Sequence, residues 1–158
     1  MERVNLIVTE WERAKTGTRE YIEAMPEEAI GFRPTPEIRS FAEHFLHVAS
    51  ANYIFVSAVS GRDNPHDKSR GKDPEEREEL KQSKGALLEF VTGAYDYLIE
   101  AVKQLDSAGL EEKVKFFRME LARELLLAKA LEHHAHHRGQ AAIYLRLKGV
   151  TPPSERLF

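Results

Sequence analysis

The chain has 158 residues, with 23 Lys+Arg against 26 Asp+Glu for a formal charge of −3, seven His, one Trp and no Cys. That length suits a single domain, residues 1–158, able to bury a core without disulfides, and the missing cysteines exclude disulfide staples, Cys-ligated zinc, iron–sulfur clusters and protein thiol nucleophiles. Slight acidity without a basic tail argues against nucleic acid as a partner, no apolar run approaches the ~20 residues of a membrane span, and Met1 to Thr9 lacks the features of a secretory signal, so the expected setting is the cytoplasm.

Glu10 to Met25 predicts an amphipathic helix, with Trp11, Ala14, Tyr21, Ile22 and Met25 recurring mostly at helical spacings and Pro26 ending it. Gly31-Phe32-Arg33-Pro34-Thr35-Pro36 is a connector, because each proline biases the residue before it away from helix. Ser40 with Glu43 three residues on is a capping box that opens a second helix, which runs to about Ser60 and stops at Gly61. Gly61 to about Asp73 reads as a loop, and Asp73-Pro74-Glu75-Glu76 as the start of a short helix. Ser83 to Leu105 is a third long helix whose seam is Leu87, Val91, Ala94, Leu98, Val102 and Leu105. Val114 and Phe116, alternating with Lys113 and Lys115, suggest a short extended stretch. Glu120 to Leu147 predicts the longest helix, closed by Gly149 ahead of Pro152-Pro153. Four long helices define the expected fold class: all-α, a four-helix bundle.

Without cysteine, any metal must be held by His, Asp or Glu. Six of the seven histidines fall in two places, His44 and His47 on the second helix and His133, His134, His136 and His137 on the last. At about 100° per residue, His137 sits about 40° from His133, in line with Leu126, Ala130 and Tyr144, whereas His134 and His136 fall about 100° and −60° away. An H-x-x-x-H pair can clip one ion, and His47 offers a third nitrogen. It lies in line with Ala51, Ile54 and Ala58, a face of mostly small residues open to close approach by another helix, with His44 about 60° off. Histidines on helices are more often surface or hydrogen-bonded groups than ligands. What points to a metal is the conjunction of an i,i+4 pair with a third histidine on a different helix. Three nitrogens from His47, His133 and His137 would leave coordination positions open, the pattern of a catalytic site.

Arg138-Gly139-Gln140 follows directly. A glycine inside a helix suggests close packing by another helix or a ligand, Arg138 an ion pair or a dimer contact, and Gln140 a hydrogen-bond partner for a ligand histidine. Leu121, Leu125, Ile143 and Leu147 form a second apolar stripe, roughly 100° from the first, which predicts a homodimer.

At these residues the sequence resembles the DinB/YfiT-like superfamily. The resemblance rests on Phe32-Arg33-Pro34-Thr35-Pro36; on Arg39-Ser40-Phe41-Ala42-Glu43 leading to His47-Val48-Ala49; and on His133, His136-His137-Arg138-Gly139-Gln140, Tyr144-Leu145-Arg146 and Gly149. It implies a four-helix bundle, commonly dimeric, with His47, His133 and His137 as ligands of a divalent ion, zinc or nickel. It does not imply one activity: thiol-dependent S-transferases and isomerases using a low-molecular-weight thiol, and metal-dependent hydrolases, all occur. His134 stands where the family often has another residue, which leaves it as an alternative or additional ligand.

The leading expectation is a transferase acting on a small-molecule substrate, in which an open divalent ion deprotonates an external thiol, since the protein has none of its own. Arg62, Lys68, Arg70 and Lys72 in the 61–73 loop are candidates for recruiting an anionic thiol, though a solvated loop is the commoner role for such residues. The alternative is a hydrolase in which the metal activates water, with Glu43 or Tyr144 as candidate acid, base or oxyanion donor. A third reading is a non-catalytic metal-binding dimer with a stress-response role.

Overall fold

Val4, Trp11, Ala14, Thr18 and Ile22 lie along one line of a helix and are all buried. That line belongs to α1 (Glu2–Ala24), the first element of a computed structural model that describes residues 1–157. Next come α2 (Phe41–Ser60), the short α3 (Glu78–Gln82), α4 (Lys84–Lys103), the short α5 (Ser107–Glu111), a hairpin of β1 (Lys113–Phe116) and β2 (Met119–Ala122), and α6 (Arg123–Leu147). The four long helices form an all-α bundle, as expected. α1 packs on α4 and α6, and α2 packs on the same two, so α1 and α2 sit across the bundle from one another. Among the described residues, no helix is long and apolar enough to cross a membrane.

Helix α2 is the most apolar of the four and buries residues on nearly every side, including Phe41, Phe45, Leu46, Val56 and Val59. Its ends are fixed locally. Ser40 Oγ accepts from the Glu43 amide at 3.2 Å while Glu43 Oε2 accepts from the Ser40 amide at 2.8 Å, the reciprocal capping box read from the sequence. Gly61 closes the helix at φ +72°, a left-handed conformation that a β-carbon disfavours. The Glu43 carboxylate also accepts both of its 2.6 Å bonds from Arg33, tying the proline-rich connector to the helix it precedes.

Two boundaries differ from the sequence expectation. Helix α1 begins at Glu2, not Glu10; the β-branched Val4, Ile7, Val8 and Thr9 weaken intrinsic helicity, and packing of Val4 on the core overrides it. Helix α6 begins at Arg123, not Glu120, because residues 119–122 pair with 113–116 as an antiparallel hairpin. Its register sets Val114 opposite Leu121 and Phe116 opposite Met119. The extended stretch around Val114 therefore has a partner drawn from the start of the expected helix. Phe117, at φ +53°, turns the hairpin, and Phe116 stacks on Phe55 of α2 with ring centroids 5.3 Å apart.

The second apolar stripe also changes. Leu121 lies in β2. On α6, Leu125, Ile143 and Leu147 are exposed, but exposed Lys129, Glu132 and His136 sit between them on the same face, so that face is apolar only at its two ends. Gly139 has nothing within 4 Å of where a β-carbon would stand. It faces a groove of about 980 Å³ bounded by α1, α6 and the C-terminal segment 149–157, not a tight helix crossing.

Candidate metal centre

The apposition of α2 and α6 brings three imidazoles to one point. His133 Nε2 lies 3.2 Å from His47 Nε2 and 3.2 Å from His137 Nε2, and one nitrogen from each of the three residues lies within 4.8 Å of the others. The residues expected from spacing as a trio are therefore together. The site is at the margin of the bundle, not deep inside it: His47 and His133 are half-buried, and the α2 face running through His47 continues to Ile54, which is 37 % exposed. Phe55, with its ring 6.4 Å from His133, forms an apolar wall that Phe116 of the hairpin backs.

The donor set fits a divalent ion. Nitrogens about 3.3 Å apart are what tetrahedral ligation at 2.0–2.1 Å gives, close to the two observed separations. Hydrogen bonds on the outer nitrogens strengthen the case. His47 Nδ1 lies 3.1 Å from Glu75 Oε1, whose carboxylate also accepts from Lys68 Nζ at 2.9 Å and from Arg39 Nε at 3.0 Å. Burial pushes the Glu75 carboxyl up, but the bonds from His47, Lys68 and Arg39 outweigh it and hold the group well below the usual carboxylate range. An ionised carboxylate can only accept, so His47 Nδ1 carries a proton, and in the neutral imidazole Nε2 is the lone pair turned inward. Arg39 Nη2, 3.3 Å from the same Nδ1, then donates nothing to it.

Glu75 belongs to the 3₁₀ turn Pro74–Glu76, where Asp73 accepts from the Glu75 amide at 2.9 Å. It is the residue of this cluster that the sequence reading does not anticipate. The Asp-Pro start of its turn was legible, but nothing in the spacing connects it with His47, 28 residues earlier.

His137 is held on its outer side too. Its Nδ1 lies 3.0 Å from Nδ1 of buried His44, and His44 Nε2 lies 3.1 Å from the Tyr144 hydroxyl, which donates to the Arg39 carbonyl at 2.8 Å. His133 Nδ1 is buried and has no partner among the described residues. Burial, with the neighbouring Arg39 and His47, lowers His44 to about 4; burial, with His47 and His136, lowers His133 to about 4; burial, with His133 and His47, lowers His137 to about 3. These three imidazoles are therefore neutral at pH 7, which for His133 and His137 is the form that ligation requires.

Other expected residues stand elsewhere. His134 turns away from the trio into the core. Its ring meets Trp11 and Tyr95 edge to face, each at 5.0 Å, and its Nδ1 lies 2.5 Å from the Tyr95 hydroxyl, so it is not an additional ligand in this arrangement. Arg138 donates to Thr18 at 3.4 Å and has no carboxylate partner among the described residues. Gln140 bonds exposed His136 at 2.5 Å instead of a residue of the trio. Glu43 is absorbed by its cap and by Arg33, and the Tyr144 hydroxyl hydrogen is committed to a carbonyl, so neither offers a free acid or base at the trio. Of the loop cations, Lys68 pairs with Asp73 and Glu75, Arg70 pairs with Asp63 and Asp67, and Arg62 lies over the Tyr97 ring. Beside the cluster opens a cavity of about 670 Å³ lined by Arg33, Arg39, His44, Glu75, Gln140 and Tyr144. The larger groove between α1 and α6 contains none of the histidines.

The fold and this cluster together define a helical bundle with a candidate three-histidine metal centre. The chain belongs to the DinB superfamily, whose sequence profile matches residues 10–141. A crystal structure of a DinB-like protein from Bacillus cereus is similar with a TM-score of 0.78 at 17 % identity, over 95 % of each chain. One of a DinB-like protein from Bacillus subtilis gives 0.67 at 18 % identity, over 97 % of this chain and 96 % of that one. No curated protein matches the sequence.

Two outcomes follow from the outer hydrogen bonds and the lowered imidazoles. Glu75→Gln, which replaces an obligate acceptor by an amide, is expected to weaken zinc binding by about 10- to 100-fold in a chelator competition. For the metal-free protein, His44, His133 and His137 titrate near 4, 4 and 3 when folded and near 6.5 when unfolded. Between about pH 6.5 and 4 the unfolded chain therefore binds more protons. Stability contributed by these groups is flat above pH 6.5 and lost as pH falls below it, so the thermal midpoint is expected to drop progressively from pH 7 to pH 5.

Proposed function

We propose that this protein is a metal-dependent transferase in which His47, His133 and His137 hold a divalent ion, zinc or nickel, and a low-molecular-weight thiol supplies the nucleophile. The observation that carries the reading is the convergence of three nitrogens, two of their separations being 3.2 Å, in a site where Glu43 and Tyr144 are already committed to other partners. An ion held by His47, His133 and His137 would supply Lewis acidity there and so favour the thiolate form of an incoming thiol. The S–H bond then gives up its proton to solvent. The sulfur forms a bond to an electrophilic carbon, and the leaving group departs with the electron pair of the bond it breaks. The chain's own part is to hold neutral imidazoles in place, to wall one side with Phe55 and Phe116, and to admit a small molecule through the cavity beside His44 and Tyr144.

A hydrolase is the less supported alternative. The two residues that would serve it, Glu43 and Tyr144, are already engaged by Arg33 and by the Arg39 carbonyl. We also propose that the protein is a homodimer and that the exposed Leu125, Ile143 and Leu147 of α6 meet a second copy.

Purified without a nickel column and incubated with zinc or nickel, wild type is expected to carry stoichiometric metal, and His47→Ala and His137→Ala little; a metal-free wild type overturns the site. Turnover of electrophiles is expected to require added thiol, and turnover indifferent to thiol overturns the transferase. Light scattering at micromolar concentration is expected to give twice the chain mass of 18.1 kDa, and a monomeric mass overturns the dimer.

A further inference from the structure

We infer that His44 and Tyr144 are positioning residues for His137: a directional hydrogen-bond relay that begins at the Arg39 carbonyl and fixes which nitrogen of His137 faces the metal. The direction follows from counting protons. A carbonyl oxygen can only accept, so the Tyr144 hydroxyl gives its one hydrogen to the Arg39 carbonyl, 2.8 Å away. The phenol oxygen must then accept from His44 Nε2 at 3.1 Å, which places the His44 proton on Nε2. A neutral imidazole has one proton, so His44 Nδ1 is a lone pair and must accept from His137 Nδ1, 3.0 Å away. His137 is left with a bare Nε2, the atom that lies 3.2 Å from His133 Nε2. Every donor in the chain meets one acceptor.

The reversed relay fails at its first link. It would turn the Tyr144 hydroxyl toward His44, leave the Arg39 carbonyl without the bond it now receives, and aim an N–H of His137 at the metal position. His44 is thus not a fourth ligand standing in reserve. It transmits the polarity of a backbone carbonyl through two side chains, and it does for His137 what Glu75 does for His47, with no charge involved.

The inference rests on the metal-centre reading only for its purpose, and the test separates the two. Long-range ¹⁵N–¹H spectra of the metal-free protein at neutral pH are expected to show His137 protonated at Nδ1 and His44 at Nε2. Tyr144→Phe, nearly isosteric, is expected to abolish that preference at His44 and His137 and to weaken zinc binding about 10-fold or more in chelator competition. His44→Phe is expected to abolish the preference at His137 and to weaken zinc binding to the same extent, whereas His44→Asn, whose amide oxygen can accept from His137 Nδ1, is expected to stay within about threefold of wild type. If wild-type His137 carries its proton on Nε2, or if Tyr144→Phe leaves both tautomers and zinc affinity unchanged, the relay is overturned. Should His44→Phe fail to fold, Tyr144→Phe decides. A wild type that shows these tautomers yet binds no zinc overturns the metal reading and leaves the relay standing.

Discussion

A neutral imidazole has two nitrogens and one proton, and a histidine can ligate only through the nitrogen that lacks it. Much of what surrounds the α2–α6 contact is arranged around that restriction. With no metal present, three inward lone pairs would repel one another, and a free ring would relieve the repulsion by moving its proton inward. The protein opposes this by giving the outer nitrogens of His47 and His137 acceptors of their own, a carboxylate for one and a second imidazole for the other. His133, half-buried and with its outer nitrogen unpartnered among the described residues, is the member left free to adjust.

Supporting such a site at the edge of a bundle needs rigid elements behind it. Helix α2 supplies this by burying large apolar side chains along its length, each worth roughly 1.5–3 kcal/mol relative to exposure. Its two histidines sit on the remaining strip, where α6 crosses. The polar shell comes instead from irregular chain. The 3₁₀ turn carrying Glu75 is anchored by Asp73 and Lys68, and Lys68 bridges both carboxylates, so part of the long loop after Gly61 is committed to orienting His47.

The bundle, the capping box at Ser40, the stop at Gly61 and the grouping of His47, His133 and His137 were legible because helical periodicity and i,i+4 spacing are local rules. The relation of His47 to His133 and His137 needed one further assumption, that the two histidine-bearing faces meet. Glu75 was not legible, since its distance from His47 is set by a loop whose path no periodicity encodes. The resemblance left His134 open as an alternative or additional ligand, and its place was not legible for a related reason. Wheel geometry placed it about 100° from His133 but could not say that Trp11 and Tyr95 wait on that side. The hairpin was half legible: alternation showed β1, whereas β2 reads as helix until its partner is known. Gly139 looked like a packing residue, yet its surroundings are open, because a missing side chain marks either a close neighbour or an empty groove.

Arg39 appears on both sides of the centre. Its guanidinium reaches Glu75 and hence His47, and its backbone carbonyl begins the chain through Tyr144 and His44 to His137. One residue at the end of the proline-rich connector is therefore a common datum for two of the three imidazoles, much as a single reference edge aligns two parts of an instrument. A displacement of that connector would disturb both settings together, whereas His133 has no hydrogen bond to it. The connector is thus part of the site's alignment, although none of its atoms would touch an ion.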